Sequence, residues 1–467
     1  MENLKYFNSW DEYNEYNEGY VKYDPTISFV NQDESICYDK EILDDRILTF
    51  TLLGTDARGI MRIDYMFTGD SSLPPVDLEF SPDGITWTTY TFNKPTKEGA
   101  TGINIPFHTS GQPIKFRGNN ASFSSRGGYF KFVFVFRGNV PVKATGDVTS
   151  LINRGGGNIA TLTEYCFANL FENCYCLVQA PNLPSLRLNN SCYTGMFYGC
   201  TSLVSAPALP ATTLANYCYA DMFRGCTSLT HAPALPATRL ATNCYEGMFY
   251  GCTSLTSAPT LPATTLLEYC YQSMFSGCTS LVSAPALPAT TLAQSCYRYM
   301  FYGCTSLIRS SDLLTQMLAG GCYSCMFYGC VSLKKAPALP ATTLKKDCYY
   351  QMFYGCTSLT KAPVLPATTL KIGAKKPVNI QNCYSEMFRD CVNLNYIKAL
   401  IEEEPNSDST RNWVNHVFPK GTFEQSSRAQ WKTFSDDAIP IGWNVIGGSG
   451  IEKIPVNTKT EETVKEP

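Results

Sequence analysis

Residues 218–229 read Cys218-Tyr-Ala-Asp-Met-Phe-Arg-Gly-Cys-Thr-Ser-Leu229, followed by Thr230-His-Ala-Pro-Ala-Leu-Pro-Ala-Thr-Arg-Leu240 and, three residues later, by Cys244-Tyr245 again. The first cysteine of this unit falls at 166, 192, 218, 244, 270, 296, 322 and 348, a period of 26, and once more at Cys383 after nine extra residues. A fixed period of this length marks a solenoid, in which each coil buries its apolar edge only against its neighbours. About nine coils are expected, and the segments before and after them read as mount, cap or tail.

Comparison of the copies separates inside from outside. The first cysteine, the Met column (196, 222, 248, 274, 300, 326, 352, 387), the Phe column (197 to 388), the second cysteine and the Leu column (203 to 394) hold in nearly every copy. Two further leucine columns run 209 to 365 and 214 to 370. These positions are expected to face inward, since a water-facing side chain has no packing reason to stay constant. Cys-Tyr-x-x-Met-Phe-x-Gly reads as a short helical or 3₁₀ turn closed by glycine. Ala-Pro-Ala-Leu-Pro reads as extended, because proline excludes helical geometry from the residue before it. Two prolines per coil also limit the parallel sheet to a few residues in width.

The outward slots vary, with one exception. The residue after Met-Phe is Tyr at 198, 250, 302, 328 and 354, Arg at 224 and 389, and Ser at 276. Stacking would bring Tyr198, Tyr250, Tyr302, Tyr328 and Tyr354 into a stripe able to grip glycan rings or a protein, or simply inherited through duplication of one coil. Lysines gather late, at 334, 335, 345, 346, 361, 371, 375 and 376. They make that end basic, which is commonly no more than a solvated face.

Twenty-one cysteines would suit a disulfide scaffold, yet eighteen of them occupy two columns of the repeat, leaving Cys37, Cys176 and Cys325. Equivalent residues on stacked strands lie about 4.8 Å apart with parallel side chains, whereas a disulfide needs Cβ atoms converging to about 3.8 Å. The expectation is therefore reduced, buried thiols packing as small hydrophobes. Cys-x7-Cys is not a zinc spacing, and His108, His231 and His416 lie in separate segments, so no metal site, cofactor or catalytic constellation is drawn. A net charge of −3 with 16% charged residues gives no field that favours nucleic acid. No run reaches the roughly 18 apolar residues of a membrane span.

Outward from the repeats, residues 1–45 form an arm and a short hairpin. Tyr6, Trp10, Tyr13 and Tyr16 stand in a polar context there, as contacts to a partner or against the next domain. Residues 46–145 change to period two, with candidate strands at 48–53, 60–67, 76–80, 86–91, 103–105, 114–116 and 129–136. Together they predict an antiparallel β-sandwich. Trp87 is placed in its core, with ligand stacking as the alternative, and 129–136 is apolar on both faces. The solenoid is assigned 146–398, a C-terminal cap 399–446, and a disordered tail 447–467.

The coil resembles the BspA-type leucine-rich repeat. Leu203, Ala206, Leu209-Pro210, Leu214, Cys218, Met222-Phe223, Cys226 and Leu229 occupy the places of Leu-x-x-Val-x-Ile-Pro … Ile-Gly-x-x-Ala-Phe-x-x-Cys-x-x-Leu. Cys-Tyr replaces Ile-Gly, Met-Phe replaces Ala-Phe, and three residues are added. Cys-Tyr-x-x-Met-Phe-x-Gly-Cys-Thr-Ser-Leu is also similar to repeats of gut Bacteroidales and of the phages that infect them, as are the Ser81–Trp87 hairpin and Ile439–Val445, and the hairpin at Ile27–Tyr38 is similar to N-terminal segments of crAss-like phage structural proteins. The resemblance implies a right-handed solenoid with short helical or 3₁₀ turns, surface exposure and adhesion, and transfers no catalytic residue. Met1-Glu2-Asn3-Leu4-Lys5-Tyr6 has no apolar h-region and no small-residue cleavage site, so a secretory leader is not expected from these residues, and that expectation favours a virion over a bacterial surface. The expectation is a non-enzymatic head or tail fibre or decoration protein assembled in the host cytoplasm. Its arm would bind other virion proteins and its solenoid a host surface protein or glycan, without membrane insertion; dimer or trimer formation stays open. A bacterial cell-surface adhesin is the alternative.

Overall fold

In a computed structural model of the chain, the residues described are 29–30, 36–37, 45–53, 59–67, 76–92, 99–107, 111–120, 122–123, 130–137, 140–157, 159, 161–373, 377–429 and 431–448. The arm with Tyr6, Trp10, Tyr13 and Tyr16, His108, Lys375, Lys376 and the tail beyond 448 lie outside them. Strands β1 (Phe29–Val30) and β2 (Ile36–Cys37) pair antiparallel with Val30 opposite Ile36, which is the expected hairpin.

The period-two segment yields β3 (Leu48–Leu52), β4 (Gly59–Phe67), β5 (Val76–Ser81), β6 (Thr88–Phe92), β7 (Gly99–Phe107), β8 (Pro113–Arg117), β9 (Phe130–Arg137) and β10 (Val142–Thr145). The last of these was not anticipated. A six-stranded sheet has the order β11-β10-β3-β8-β5-β6, where β11 (Leu177–Gln179) already belongs to the first repeat. A three-stranded sheet, β7-β4-β9, lies against it. Phe50 of β3 reaches across to Phe134 and Phe136 of β9 at ring centroids 5.2 and 5.1 Å. Val133 and Phe134, neighbours on opposite faces of β9, are both buried, so that strand is covered on both sides as its composition implied. Trp87 departs from expectation. It sits half-buried just before edge strand β6, with the Arg117 guanidinium 3.7 Å from its ring centroid; the core is instead Leu48, Phe50, Leu78, Phe116 and Phe134.

In the repeats the constant columns do face inward: Cys218, Met222, Phe223, Cys226 and Leu229 are all buried, as are their equivalents. The third leucine column is less uniform, half-buried at Leu214, Leu240 and Leu292 and buried at Leu266, Leu318, Leu344 and Leu370. Burial runs two-in, two-out, a period of four. The backbone explains it. Tyr217, Asp221 and Gly225 have φ of +57°, +52° and +73°, a left-handed residue at every fourth position. Such residues end a right-handed helix, so the helical or 3₁₀ turns expected for Cys-Tyr-x-x-Met-Phe do not form. A run of linked turns takes their place. Helical geometry is found instead at a 3₁₀ turn, Val148–Leu151, and a one-turn helix α1, Ser407–Thr410.

Hydrogen bonding alternates along the same run. The amides of Tyr193, Gly195, Phe197 and Gly199 donate to the carbonyls of Cys218, Ala220, Met222 and Arg224 in the next coil, at 2.7–3.1 Å. Those of Thr194, Met196, Tyr198 and Cys200 donate locally, to the carbonyl three residues back, at 3.0–3.2 Å. Every second amide therefore ties a coil to its neighbour, so the buried turn leaves few orphan polar groups. The parallel ladders elsewhere are one residue wide: Gln179, Ser205, His231 and Ser257 form one, Arg187, Thr213 and Arg239 another. Prolines at 207 and 210 offer no amide, as the narrow sheet required. Where the Ala-Pro-Ala-Leu-Pro element is missing, the sheet widens into β14 (Tyr396–Ala399), β15 (Thr422–Gln425) and β16 (Asn444–Ile446), all parallel. The nine extra residues before Cys383 contribute the hairpin β12 (Lys371–Ile372) and β13 (Val378–Asn379).

Both ends of the stack are closed by residues that imitate a coil. At the start, the Phe134 amide donates to Leu170 O and the Phe123 amide to Cys166 O, the bonds that a preceding coil would make. At the end, Phe388 N–H donates to Trp413 O, and Asn412 and His416 repeat the left-handed positions, with φ of +52° and +58°. Ser409, Thr410, Trp413 and Val414 thus follow Cys383, Tyr384, Met387 and Phe388 at the same 26-residue interval, although none of the residue types is kept. Buried Trp413 and Trp431 close the apolar columns there, and their indole N–H groups donate to Ala438 O at 2.8 Å and Ile401 O at 3.1 Å.

Candidate binding surface

Three ring columns run through the repeats. The Phe column stacks from Phe134 of β9 through Phe171 and Phe197 to Phe353 and Phe388, with neighbouring centroids 5.4–5.8 Å apart. A second buried column, Phe167 followed by Tyr193 to Tyr384, was overlooked in sequence although Tyr follows the first cysteine in each later copy. Tyrosine reads as half-polar, and that concealed it.

The third column is the exposed one, and it contains the residues singled out in sequence. Tyr302 stacks on Tyr328 at 4.7 Å and Tyr328 on Tyr354 at 4.4 Å. Arg224 inserts between the other two, 5.9 Å from the Tyr198 ring and 4.2 Å from that of Tyr250. Arg389 closes the far end, 5.7 Å from Tyr354. Tyr198, Tyr250 and Tyr302 are each 37% exposed. Because rings and guanidinium groups cover one another's faces, the column offers mainly ring edges and hydroxyls. Buried Ser276 interrupts it between Tyr250 and Tyr302. At its end the Tyr354 hydroxyl is pushed up to about 12 by its hydrogen bond to the Asp390 carboxylate and by burial. Burial raises Asp390 itself, but hydrogen bonds from His416 and Tyr354 outweigh it and hold the carboxyl below its usual range.

On a different side of the coil, Ser283, Arg309 and Lys335 are neighbours on one ladder, and Lys361 bridges to Tyr396 in its continuation, with Nζ 4.4 Å from the Tyr396 ring centroid. Arg309, Lys334, Lys335 and Lys361 are all exposed. Lys334, Lys335 and Lys361 thus share a face, whereas Lys346 lies ahead of Cys348 and Lys371 in the β12–β13 hairpin.

The thiols behave as a scaffold with an added role. The second cysteine of each coil donates through Sγ to the Phe carbonyl of the preceding coil, as in Cys226 Sγ to Phe197 O at 3.1 Å and Cys278 Sγ to Phe249 O at 3.1 Å. Burial pushes Cys244, Cys252, Cys304 and Cys322 up to about 12, which suppresses the thiolate that nucleophilic chemistry needs. All twenty cysteines from Cys166 to Cys391 are free, and of these only Cys176 is not buried. His231 lies exposed between Ser205 and Ser257 on its ladder, and His416 pairs with Asp390 at 2.6 Å. Among the described residues no three His, Cys, Asp or Glu side chains group as metal ligands, and no helix is long and apolar enough to cross a membrane.

A family model, the BspA type leucine rich repeat region, matches residues 164–308 and 291–402 in six copies. No match is found among curated proteins or among solved structures.

Proposed function

The chain belongs to the BspA-type leucine-rich-repeat family, and from that premise we propose that it is a non-enzymatic adhesion protein carried on the outside of a phage particle. The repeats form a right-handed solenoid of about nine coils, and the binding surface is the Tyr198-to-Tyr354 side. The observation that carries this reading is the surface column of exposed Tyr302 and half-buried Tyr328 and Tyr354, with rings in register from coil to coil. Large aromatic groups held rigidly in water lose little entropy when a partner covers them, which is why they dominate recognition surfaces. Head or tail fibre and decoration roles fit a long, narrow scaffold whose arm, with Tyr6, Trp10, Tyr13 and Tyr16, joins other virion proteins. The second reading is a bacterial surface adhesin, which the family membership supports equally.

Two measurements separate these readings. Mass spectrometry of purified particles and of host outer-membrane fractions should find the protein in particles; finding it only in the membrane fraction overturns the virion assignment. Glycan and host-protein arrays probed with wild type and with Tyr302→Ala/Tyr328→Ala should show binding that the variant loses. Equal binding by both would remove the tyrosine column from the function.

A further inference from the structure

Just ahead of each first cysteine, the coils carry polar side chains that bond from one coil to the next. Asn190 Nδ2 donates to Glu164 Oε1 at 2.9 Å, the Thr242 amide to Asn216 Oδ1 at 3.1 Å, and Gln294 Nε2 to the Tyr269 hydroxyl at 2.9 Å. The coil of Cys322 breaks this pattern with Gly320-Gly321. Backbone geometry does not demand either glycine. Gly321 has a φ of +59°, yet the same left-handed position is held by Tyr165, Ser191, Tyr217, Asn243, Ser295 and Asp347 in other coils. A Cβ on Gly320 would meet nothing nearer than Lys346 O at 3.8 Å. What the two glycines create is space: a half-open notch of about 430 Å³, with Gln294 and Arg298 on one wall, Lys346, Asp347 and Tyr350 on the other, and Ser324 between. That volume lies within the range of small-ligand sites.

The notch is built and charged. Ser324 and Ser295 are 2% and 4% exposed. Arg298 is held by its own neighbour, with Nη2 donating to the Tyr299 hydroxyl at 3.1 Å and the guanidinium 4.8 Å from the Tyr299 ring centroid. Its Nε is buried and has no hydrogen-bond partner. That atom is closed to solvent, so a ligand in the notch would meet the half-buried guanidinium through its terminal nitrogens instead. Asp347 lines the opposite wall but is engaged by Asn382 Nδ2 at 3.0 Å. The site therefore combines two cations, amide and hydroxyl donors, a carboxylate that accepts from hydroxyls, and one tyrosine.

We propose that this notch binds a carboxylate-bearing sugar, the acid held by Arg298 and Lys346 and the hydroxyls by Gln294, Ser324 and Asp347. A planar guanidinium matches a carboxylate with paired hydrogen bonds, and the mixed donor and acceptor walls suit a polyol better than a bare inorganic anion. The inference rests on the adhesion reading and deepens it by naming an acidic glycan as ligand. It does not depend on the tyrosine column.

The test is titration of the full chain with methyl β-D-glucuronide, followed by saturation-transfer NMR and calorimetry, alongside methyl β-D-glucoside and inorganic phosphate. Binding of the glucuronide with neither control bound is the expected result. Gly320→Gln with Gly321→Ser restores side chains found at these positions in the preceding coil and should abolish binding with the fold retained, at a modest cost in melting temperature because a Cβ on Gly321 would stand 3.1 Å from Ser295 Oγ. Arg298→Gln should weaken binding at least about tenfold, as expected for loss of a charge-assisted pair. Equal binding by wild type and the filled variant, phosphate binding as tight as glucuronide, or no binding of the glucuronide would each overturn the assignment. Array binding lost only in Tyr302→Ala/Tyr328→Ala, with the notch variants unaffected, would overturn the notch and leave the adhesion function standing.

Discussion

At the scale of single residues, the two cysteine columns look equivalent in sequence and differ in the fold. Cys226 Sγ bonds to Phe197 O, whereas Cys218 fills an apolar position against its equivalents. Cys226→Ala should therefore cost about 1 kcal/mol more than Cys218→Ala, the usual worth of one hydrogen bond, as read from urea denaturation under reducing conditions; equal losses would reduce the bond to a packing contact. The same thiols make the protein sensitive to alkali. Their folded pKa values, about 12 at Cys244, Cys252, Cys304 and Cys322, lie above the ordinary value of 9.0. The unfolded chain thus releases protons first as pH rises, and stability is full below pH 9 and falls between 9 and 12. Urea midpoints in reducing buffer should be level from about pH 7 to 8.5 and decline steadily above that.

At the scale of elements, the linked-turn segment depends on a left-handed residue every fourth position. Glycine occupies the last of these in most coils because of its φ, +73° at Gly225, and not for want of room, since a Cβ there would meet Gly199 Cα at an ordinary 3.7 Å. Gly225→Val places a β-branched residue at that φ and should cost about 1–2 kcal/mol, seen as a lower melting temperature. The ladder shows a smaller conflict. Arg309 and Lys335 are adjacent and exposed with like charge, a pairing that destabilises a sheet. Lys335→Glu should raise stability by about 0.5 kcal/mol at low salt, and the gain should shrink as salt screens it.

At the scale of the molecule, the stack is closed by groups that replace a missing coil at each end. The β domain supplies Phe123 and Phe134, and the C-terminal segment supplies Trp413. A chain ending at residue 398 would expose Tyr384, Phe388 and Met387, which are fully buried in the intact protein. An uncapped apolar end of this kind drives association. Size-exclusion chromatography should show aggregation of the shortened chain, and a monodisperse, folded product would refute the closing role of Trp413. The boundary drawn at 398 in sequence reflects a divergence of residue types at a point where the backbone register continues.

The repeat alone determined the period, the inward columns, the buried thiols and the narrow ladders. Each of these follows from one unit having to pack against a copy of itself, so a comparison of copies carries the answer. The seven strands of the β domain were legible for a similar reason, since alternation is a local property. Other features needed the tertiary structure. Left-handed turns in place of helix depend on amides that bond to the next coil, and nothing within one unit reveals that. The shielding of tyrosine faces by Tyr328 and Arg224, the coil-like ends at Phe134 and Trp413, and the opening at Gly320-Gly321 arise only when coils stand beside one another. Those contacts join residues 25 or more positions apart, and local pattern cannot specify them.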